Sequence, residues 1–534
     1  MRWPVELPRG LLTTGSHPRA AKKPENEECD GVRRGYVVLM GLIDCQEMRE
    51  LEEKVFQAGA SAEALMDKAG RRLGEVLRAL YPEPGMAVAY LGRGNNGGDA
   101  LVALQVLRSA GWDIALRCPF QPLELGLLPS RKLRELGEVD LQQDAFEPMD
   151  HPGPLLLIDG LLGIGASGPL RDPLRPLAAE MNDLRARAGA RVVAVDIPSG
   201  LNGDTGEPGE GAVRADLTAT IAIPKRGLVA DGALNHVGRI EVIALEELPV
   251  PAGGDHLTTA RNLRPLLPPR DFEIHKGQAG RVGIVAGSRG MLGAAGLAAL
   301  GALRGGAGLV TVYVMEQDYP LLISAGPPPE AMIRPVGSYA EVGDDGQDVL
   351  VVGPGLGRPG GREERALLDL LGRNDIPLVV DADALNLLAT AGVVGRVHRQ
   401  MVLTPHPGEM QRLFPEGGEL SRAERARQFV ATCPCTLLYK GARTIVTSRG
   451  EELHYNSTGH PGMATGGQGD VLSGLLGALV AGGLQLTDAA RAAAWLAGRA
   501  AELALEDGQS ERSLTAGDTA RSLGEAFRAL SRGC

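Results

Sequence analysis

Aromatic residues are scarce: Phe, Tyr and Trp make up 3% of the 534 residues. Stacking platforms for single-stranded nucleic acid need more than that. An excess of positive charge is also missing. Fifty-five Lys and Arg stand against 66 Asp and Glu, a formal net charge of −11, whereas phosphate-backbone binding calls for a basic surface. Nucleic acid is therefore not expected as a partner. The six cysteines show no paired metal spacing. Cys433 and Cys435 lie two apart across Pro434 and read as ordinary reduced thiols. No secretory apolar region precedes a small-residue cleavage site. The most apolar long stretch, 471–486, contains several glycines and falls short of the about 20 residues that span a bilayer. It reads as a buried helix. These absences lead to the expectation of a soluble, cytoplasmic protein with no membrane partner.

What is present suits large α/β cores. Apolar residues make up 44%, and 74 Gly and 36 Pro occur without a collagen-like period. The length suits two or three domains. Residues 1–39 are mixed and aperiodic, which reads as a disordered extension, or as an upstream start ahead of a true start at Met40. Beyond Met40, Leu51 and Val55, then Leu65, Met66, Leu73, Val76 and Leu77, suit amphipathic helices. From about residue 86, apolar runs alternate with helical stretches, at 86–91, 155–158, 191–195 and 217–223. This predicts a parallel sheet covered by helices. A Pro/Gly-rich linker is expected at 249–254. The alternation restarts at 282–286, 309–314, 349–352, 378–380, 402–403 and 436–438. Two α/β domains are expected, 40–250 and 255–534, each with its own sheet and each able to work alone. No short internal repeat is visible.

In the first half, the strand at 86–91 runs into Gly92-Arg93-Gly94-Asn95-Asn96-Gly97-Gly98-Asp99 and then a helix at 100–109. Glycine lets backbone approach a phosphate, and a helix start offers free N–H groups to an anion. Gly92, Gly94 and Gly97 match G-x-G-x-x-G, but so do Gly163, Gly165 and Gly168, so the pattern alone is weak. A dinucleotide-binding dehydrogenase also wants an acid at the end of the next strand. Here Asp113 precedes that strand and Arg117-Cys118-Pro119 follows it. The Asn pair and Asp99 offer amide and carboxylate oxygens for a cation or a ribose. Asp159 and Asp196 each end an apolar run, where ligands gather in open parallel sheets. Two such acids serve either proton transfer at a carbon centre or cation binding. A lone strand-end Asp would be only a cap or turn former.

Taken together, Gly94–Asp99, Asp159 with its glycine-rich follow-on, Asp196-Ile197-Pro198-Ser199-Gly200 and Lys225 resemble the NAD(P)H-hydrate epimerase family over about 40–250. The resemblance implies a Rossmann-like three-layer fold. It implies that Asn95, Asn96, Gly97, Gly98 and Asp99, with Gly163, Ile164, Gly165, Ala166, Ser167, Gly168 and Pro169, hold a hydrated dinucleotide. It places Asn96, Asp159 and Ser199 near a potassium ion (K+). It makes Asp196 the acid/base at C6 of the nicotinamide ring, with Lys225 assisting.

The second half carries the densest motif, 456–470, which ends in Thr465-Gly466-Gly467-Gln468-Gly469-Asp470 and runs into a helix at 471–480. Consecutive Gly and Thr residues at a helix start make an anion hole of backbone N–H groups. Such a hole stabilises a transferring phosphoryl group. Asp470 inside it could take the proton of an attacking hydroxyl. Upstream, Gly353–Gly357, Asp381–Asn386, Thr404–Glu409 and Lys440–Thr444 each follow a buried run, on the same edge of the sheet. Among these neighbours His406 becomes a candidate ligand contact, and Lys440 could meet nucleotide phosphate.

These segments, with 287–294 and 304–310, resemble the NAD(P)H-hydrate dehydratase family, a branch of the ribokinase-like fold, over roughly 258–530. Gln468 departs from the family's usual Thr, while the flanking Gly and Asp are kept. The resemblance implies that a nucleotide phosphorylates the C6 hydroxyl and that phosphate then leaves, restoring the dihydronicotinamide. Asp470 would be the base, Ala294, Gly355 and His406 would contact the hydrate, and Lys440, Gly441, Ala442, Arg443, Thr444 and Gly469 would contact the nucleotide. The fused arrangement resembles ADP users, which yield AMP. Phosphoryl-transfer chemistry implies Mg2+, whose ligands the sequence leaves unassigned. The expected partners are hydrated NADH and NADPH, of which the S hydrate is dehydrated after epimerisation, together with ADP. A homo-oligomer is compatible with the sequence. Two other readings stand beside this one: a small-molecule kinase with the same anion hole, and a first half that serves only as a binding module.

Overall fold

The computed structural model describes residues 39–532, apart from 143–144, 148–152, 167, 252, 344–345 and 393–394. The extension expected at 1–39 lies, but for its last residue, outside the described residues.

Strand β1 is Met40–Gly41. The first sheet comprises β2 (Met86–Leu91), β3 (Asp113–Arg117), β4 (Asp140–Gln142), β5 (Leu155–Gly160), β6 (Arg191–Val195), β7 (Leu217–Ile221) and β8 (Arg239–Ile243). Its order is β4-β3-β2-β5-β6-β7-β8, and every pairing is parallel. The chain winds outward from β2 to β4, then returns to lay β5 beside β2. That reversal opens a crevice beyond the carboxyl ends of β2 and β5, where ligands bind in open α/β sheets.

The second sheet comprises β9 (His256–Thr258), β10 (Arg281–Val285), β11 (Leu309–Met315), β12 (Met332–Val336), β13 (Val349–Val352), β14 (Leu378–Val380), β15 (Met401–Leu403), β16 (Thr436–Tyr439), β17 (Ile445–Ser448) and β18 (His454–Asn456). Its order is β1-β9-β18-β17-β16-β15-β14-β13-β10-β11-β12. The reversal here lies between β10 and β13. From β12 to β16 the pairing is parallel; β17 and β18 then turn antiparallel. The sheet is thus mixed, where apolar alternation alone predicted a parallel one.

Helices cover both sheets, giving two three-layer α/β units. Glycines set how closely some of them approach. A Cβ on Gly474 would fall 1.9 Å from the Ala298 carbonyl oxygen, and one on Gly301 would fall 2.3 Å from that of Val471. Helix Leu292–Arg304 therefore presses backbone to backbone on helix Gln468–Ala481.

The helices expected beyond Met40 are there, as Cys45–Gln57 and Ala62–Leu80, preceded by β1, which joins the far sheet by pairing with β9. Two expectations change. The helix expected at 100–109 starts at Asn95, so the Asn-Asn-Gly-Gly-Asp run is its first turn rather than a loop. Asp113 opens β3 instead of preceding it. The two halves are also less separate than expected. Met40, Leu42, Ile197, Leu228 and Val237 share one apolar cluster with Leu257, Tyr439 and Tyr455 of the second half.

Candidate active sites

The first site forms at the β2/β5 reversal. Asp159 is the next-to-last residue of β5 and is fully buried. Its carboxylate accepts from Ser199 Oγ at 2.6 Å, Ser199 N at 2.8 Å and Leu161 N at 3.2 Å. Burial pushes its pKa up to about 6, even though these donors pull it down. Among the described residues, no lysine or arginine pairs with it. Asn96, in the first turn after β2, donates through Nδ2 to the carbonyls of Leu162 (2.8 Å) and Val195 (2.7 Å). This leaves its Oδ1 facing Gly163. A cavity of about 10 Å3 lies between the 162–168 turn and Ile197–Leu201, with Ser199 in its wall. That volume is close to what one water-sized sphere needs. Oxygen donors around a buried, unpaired carboxylate suit a hard cation.

Asp196 follows β6 with φ +67, an unusual region for a residue with a side chain. Its neighbours hold it there. Asp196 N donates to Ala219 O at 2.9 Å, and its Oδ1 accepts from Ile221 N at 3.0 Å and Thr220 Oγ1 at 3.3 Å. The fully buried Lys225 donates to the same oxygen, and to Ile221 O at 3.1 Å. Asp99 is buried close enough that burial, then the charges of Asp196 and Glu52, hold its carboxyl well above the usual range. Glu52 is pushed up by burial and then by Asp196. Sequence reading missed Glu52, although it lies on the Met48, Leu51 and Val55 face of helix Cys45–Gln57, where an acid is out of place. On the glycine-rich turn, Arg49 Nη1 donates to Ile164 O at 2.8 Å. Ser167 lies outside the described residues.

The second site lies at the ends of β13 to β16. Gly467, with φ +91, caps helix Gln468–Ala481, so Gly469 and Asp470 stand in its first turn. Burial, then the charge of Asp381, pushes the Asp470 carboxyl up to about 7, with Lys440 pulling the other way. Asp381 follows β14, at the N-cap of helix Ala382–Ala391, and is buried. It accepts from Lys440 Nζ at 2.6 Å and Ser473 Oγ at 2.8 Å. Burial alone would raise its pKa; Lys440, Ser473 and Thr404 outweigh it and hold the carboxyl below its ordinary value. A Cβ on Gly469 would lie 3.4 Å from Lys440 Nζ, so the Lys–Asp pair faces the helix start. Lys440 also reaches Glu409 at 3.8 Å. His406 caps its own helix, its Nδ1 accepting from Gly408 N at 3.0 Å, while the Nε2 of its half-exposed ring lies 3.5 Å from Glu409 Oε1. At the β10/β13 reversal, Ser288 Oγ donates to Gly355 O at 2.9 Å, and a Cβ on Gly355 would lie 2.9 Å from Ala294 Cβ. Ala294 and Gly355 therefore meet there.

One residue sits differently from expectation, and another lacks a partner. The Arg443 guanidinium points away from Lys440, into the junction with the first half, and donates to Gly238 O at 2.6 Å. The backbone turn around it is held instead by Arg422, which donates to the carbonyls of Tyr439, Lys440 and Arg443, while Gly441 and Ala442 are exposed and Thr444 Oγ1 closes back on Gly441 O. Gln468 buries both atoms of its amide without a partner among the described residues.

Each sheet thus carries a strand-end site at its reversal, one of buried oxygens and acids, the other a helix-start anion hole with a Lys–Asp pair. That is the layout of a two-site α/β enzyme. A family model described as NAD(P)H-hydrate dehydratase matches residues 282–522, and one described as YjeF-related protein N-terminus matches 62–227. The bifunctional NAD(P)H-hydrate repair enzyme Nnr of Coxiella burnetii is 36% identical over 489 residues, 89% of this chain and 97% of that protein. Its namesake in Gloeobacter violaceus is 38% identical over 467 residues, 82% of this chain and 89% of that one. A solved ADP/ATP-dependent NAD(P)H-hydrate dehydratase from Bacillus subtilis, co-crystallized with ATP/Mg2+, is 31% identical and covers 51% of this chain and 98% of its own, with a TM-score of 0.45. The chain belongs to the bifunctional NAD(P)H-hydrate repair enzymes: it is an NAD(P)H-hydrate epimerase and dehydratase. Among the described residues, no helix is long and apolar enough to cross a membrane.

Proposed function

We propose that residues 40–250 interconvert the R and S hydrates of NADH and NADPH, and that residues 255–534 dehydrate the S form with ADP as phosphoryl donor. Asp196 acts as acid/base at C6. A buried lysine and a backbone N–H both hold it, so its carboxylate is oriented rather than free to turn. Asn95–Asp99 and Gly163–Gly168 bind the dinucleotide through backbone N–H groups at the helix start and the facing turn, and Pro169 through its ring. Asn96 Oδ1, the Asp159 carboxylate and Ser199 Oγ would hold K+. When bound, K+ supplies fixed positive charge beside an anionic ligand.

In the second half, Ala294, Gly355 and His406 contact the hydrate, and the Lys440–Thr444 turn with Gly469 contacts the nucleotide. Asp470 takes the proton of the C6 hydroxyl. The oxygen attacks the terminal phosphorus, the phosphoanhydride bond breaks, and AMP departs. The C6–O bond then breaks as the neighbouring carbon gives up a proton, releasing inorganic phosphate and NAD(P)H. Lys440 and the helix start stabilise charge on the phosphoryl group. Mg2+ would neutralise nucleotide phosphate; no protein ligand is assigned to it. The observation that carries this reading is Asp470, with its raised carboxyl, inside a glycine-built anion hole beside the Lys440–Asp381 pair.

The test follows the near-ultraviolet absorbance of dihydronicotinamide in a mixture of both NADH-hydrate epimers, with ADP or ATP added. NADH should form only with nucleotide, faster with ADP. Asp470→Ala should abolish it, and Asp196→Ala should stall it near the one usable epimer after spontaneous epimerisation is subtracted. A phosphorylated product that accumulates without phosphate release would instead make the second half a small-molecule kinase.

A further inference from the structure

The loop that leads into the anion hole, 456–467, is anchored at its base by the first half of the molecule. Glu502, on helix Leu486–Glu506, accepts from Gly459 N at 2.8 Å through one oxygen. Its other oxygen pairs with Arg239 of β8 at 3.0 Å and with Arg499 at 3.1 Å. Arg239 also pairs with Glu241 on its own strand. Beside this, Arg443 Nη2 donates to Gly238 O at 2.6 Å, while its Nη1 donates to Asn456 O and Ser457 O, each at 3.4 Å. Ile240 N reaches Ser457 O at 3.5 Å. Arg443 and Glu502 are both buried. A buried charged pair that loses one partner leaves the other uncompensated, so these contacts resist rearrangement. Gly238–Ile240 therefore meets two functional segments at once: the nucleotide turn, through Arg443, and the lead into Gly469 and Asp470, through Glu502 and Ser457.

We infer that Arg239, Glu502 and Arg443 are positioning residues, through which the epimerase half sets the geometry of the dehydratase's nucleotide turn and anion loop. The inference rests on the nucleotide role proposed for 440–444 and Gly469. A segment held by two bodies transmits strain between them. Nucleotide binding on one side must then tighten Gly238–Ile240 on the other, because a coupling free energy acts in both directions.

The full-length protein tests this with the better of ADP and ATP. Arg239→Gln removes the ion pairs to Glu502 and Glu241 without touching either site. The nucleotide KM should rise about fivefold, kcat for dehydration should change less, epimerisation should be unchanged, and Arg239→Lys should restore most of the loss. Amide exchange across 236–243 should slow when nucleotide binds the natural protein and fail to slow in Arg239→Gln. Glu502→Gln, which keeps an acceptor for Gly459 N–H, should raise the nucleotide KM to a similar extent, and combining it with Arg239→Gln should add little, because both remove the same pair. The inference is overturned if a folded Arg239→Gln keeps its nucleotide KM, or if both activities fall together in step with the thermal midpoint. Those outcomes leave the proposed chemistry standing, whereas an active Asp470→Ala would remove the chemistry itself.

Discussion

Asp470 shows how one side chain can be made reactive by its place alone. It stands where backbone N–H groups favour its anion, yet burial and the charge of Asp381 favour its acid and win, so it titrates near pH 7. A base must be deprotonated, so kcat/KM for dehydration should rise through about pH 7 and level off above it. A limb near the ordinary Asp value would refute the assignment. Asp470→Asn should lower the rate by about 100-fold or more. Asp159 argues the other way, towards binding. Its folded-state pKa of about 6 lies above the ordinary value of 3.8, so the fold prefers the protonated form. The ionised form then weighs against stability increasingly as pH climbs from about 4 to about 6, and fully above that. A cation there relieves this. K+ should therefore raise the thermal midpoint at pH 8, on the order of 2 °C, and do little at pH 4. The effect should vanish in Asp159→Asn, and an equal shift with tetramethylammonium would mean plain ionic strength. Asp159, Asp196 and Asp470 were legible because a polar residue closing an apolar run, or opening an apolar helix, marks a sheet edge in any α/β chain. Glu52 and the direction of Arg443 were not, because each depends on a neighbour distant in sequence.

Among the elements, the contact between helices Leu292–Arg304 and Gln468–Ala481 decides where Asp470 stands. Gly301 and Gly474 let the two backbones touch. Gly474→Ala would drive a methyl to within 1.9 Å of the Ala298 carbonyl oxygen, so the helices must part. Overpacking of this kind typically costs about 1–3 kcal/mol. The shift moves the whole helix, so dehydration should fall while epimerisation persists, and the thermal midpoint should drop. Equal loss of both activities would mean general unfolding. Sequence periodicity found the strands β2, β5, β6, β10 and β11 because they are buried runs of five to seven residues. It did not find β1, β9, β17 or β18, which have only two to four residues, β1 being just Met-Gly and the others carrying His, Thr or Asn; tertiary pairing makes them strands. It also took Asn95–Asp99 for a loop, since its glycines and asparagines are weak helix formers, and the packing of Gly98 on Met66 overrides that preference.

At the scale of the molecule, the Pro/Gly-rich linker suggests two beads on a string, and the packing says otherwise. β1 crosses to the far sheet and pairs with β9, Leu42 N donates to Asp255 O at 2.8 Å, and Arg427 holds Asp255 at 2.6 Å. Met40, Leu42, Leu228 and Val237 bury themselves in a cluster that continues through Leu257, Tyr439 and Tyr455. Fully burying one aliphatic side chain of this size is worth about 1.5–3 kcal/mol. Cutting the chain at 255 would therefore uncover apolar surface on the second half and leave β9 as a bare edge strand, which invites pairing with another chain. The fragment 255–534 should melt at least about 5 °C below the whole protein and associate as its concentration rises. Adding back 40–44 by fusing it ahead of His256 should recover only the edge, not the apolar contacts of Leu228 and Val237. A fragment that stays monomeric and melts with the whole chain would show that the halves are neighbours by linkage alone, and that the shared cluster contributes nothing to holding the second sheet together.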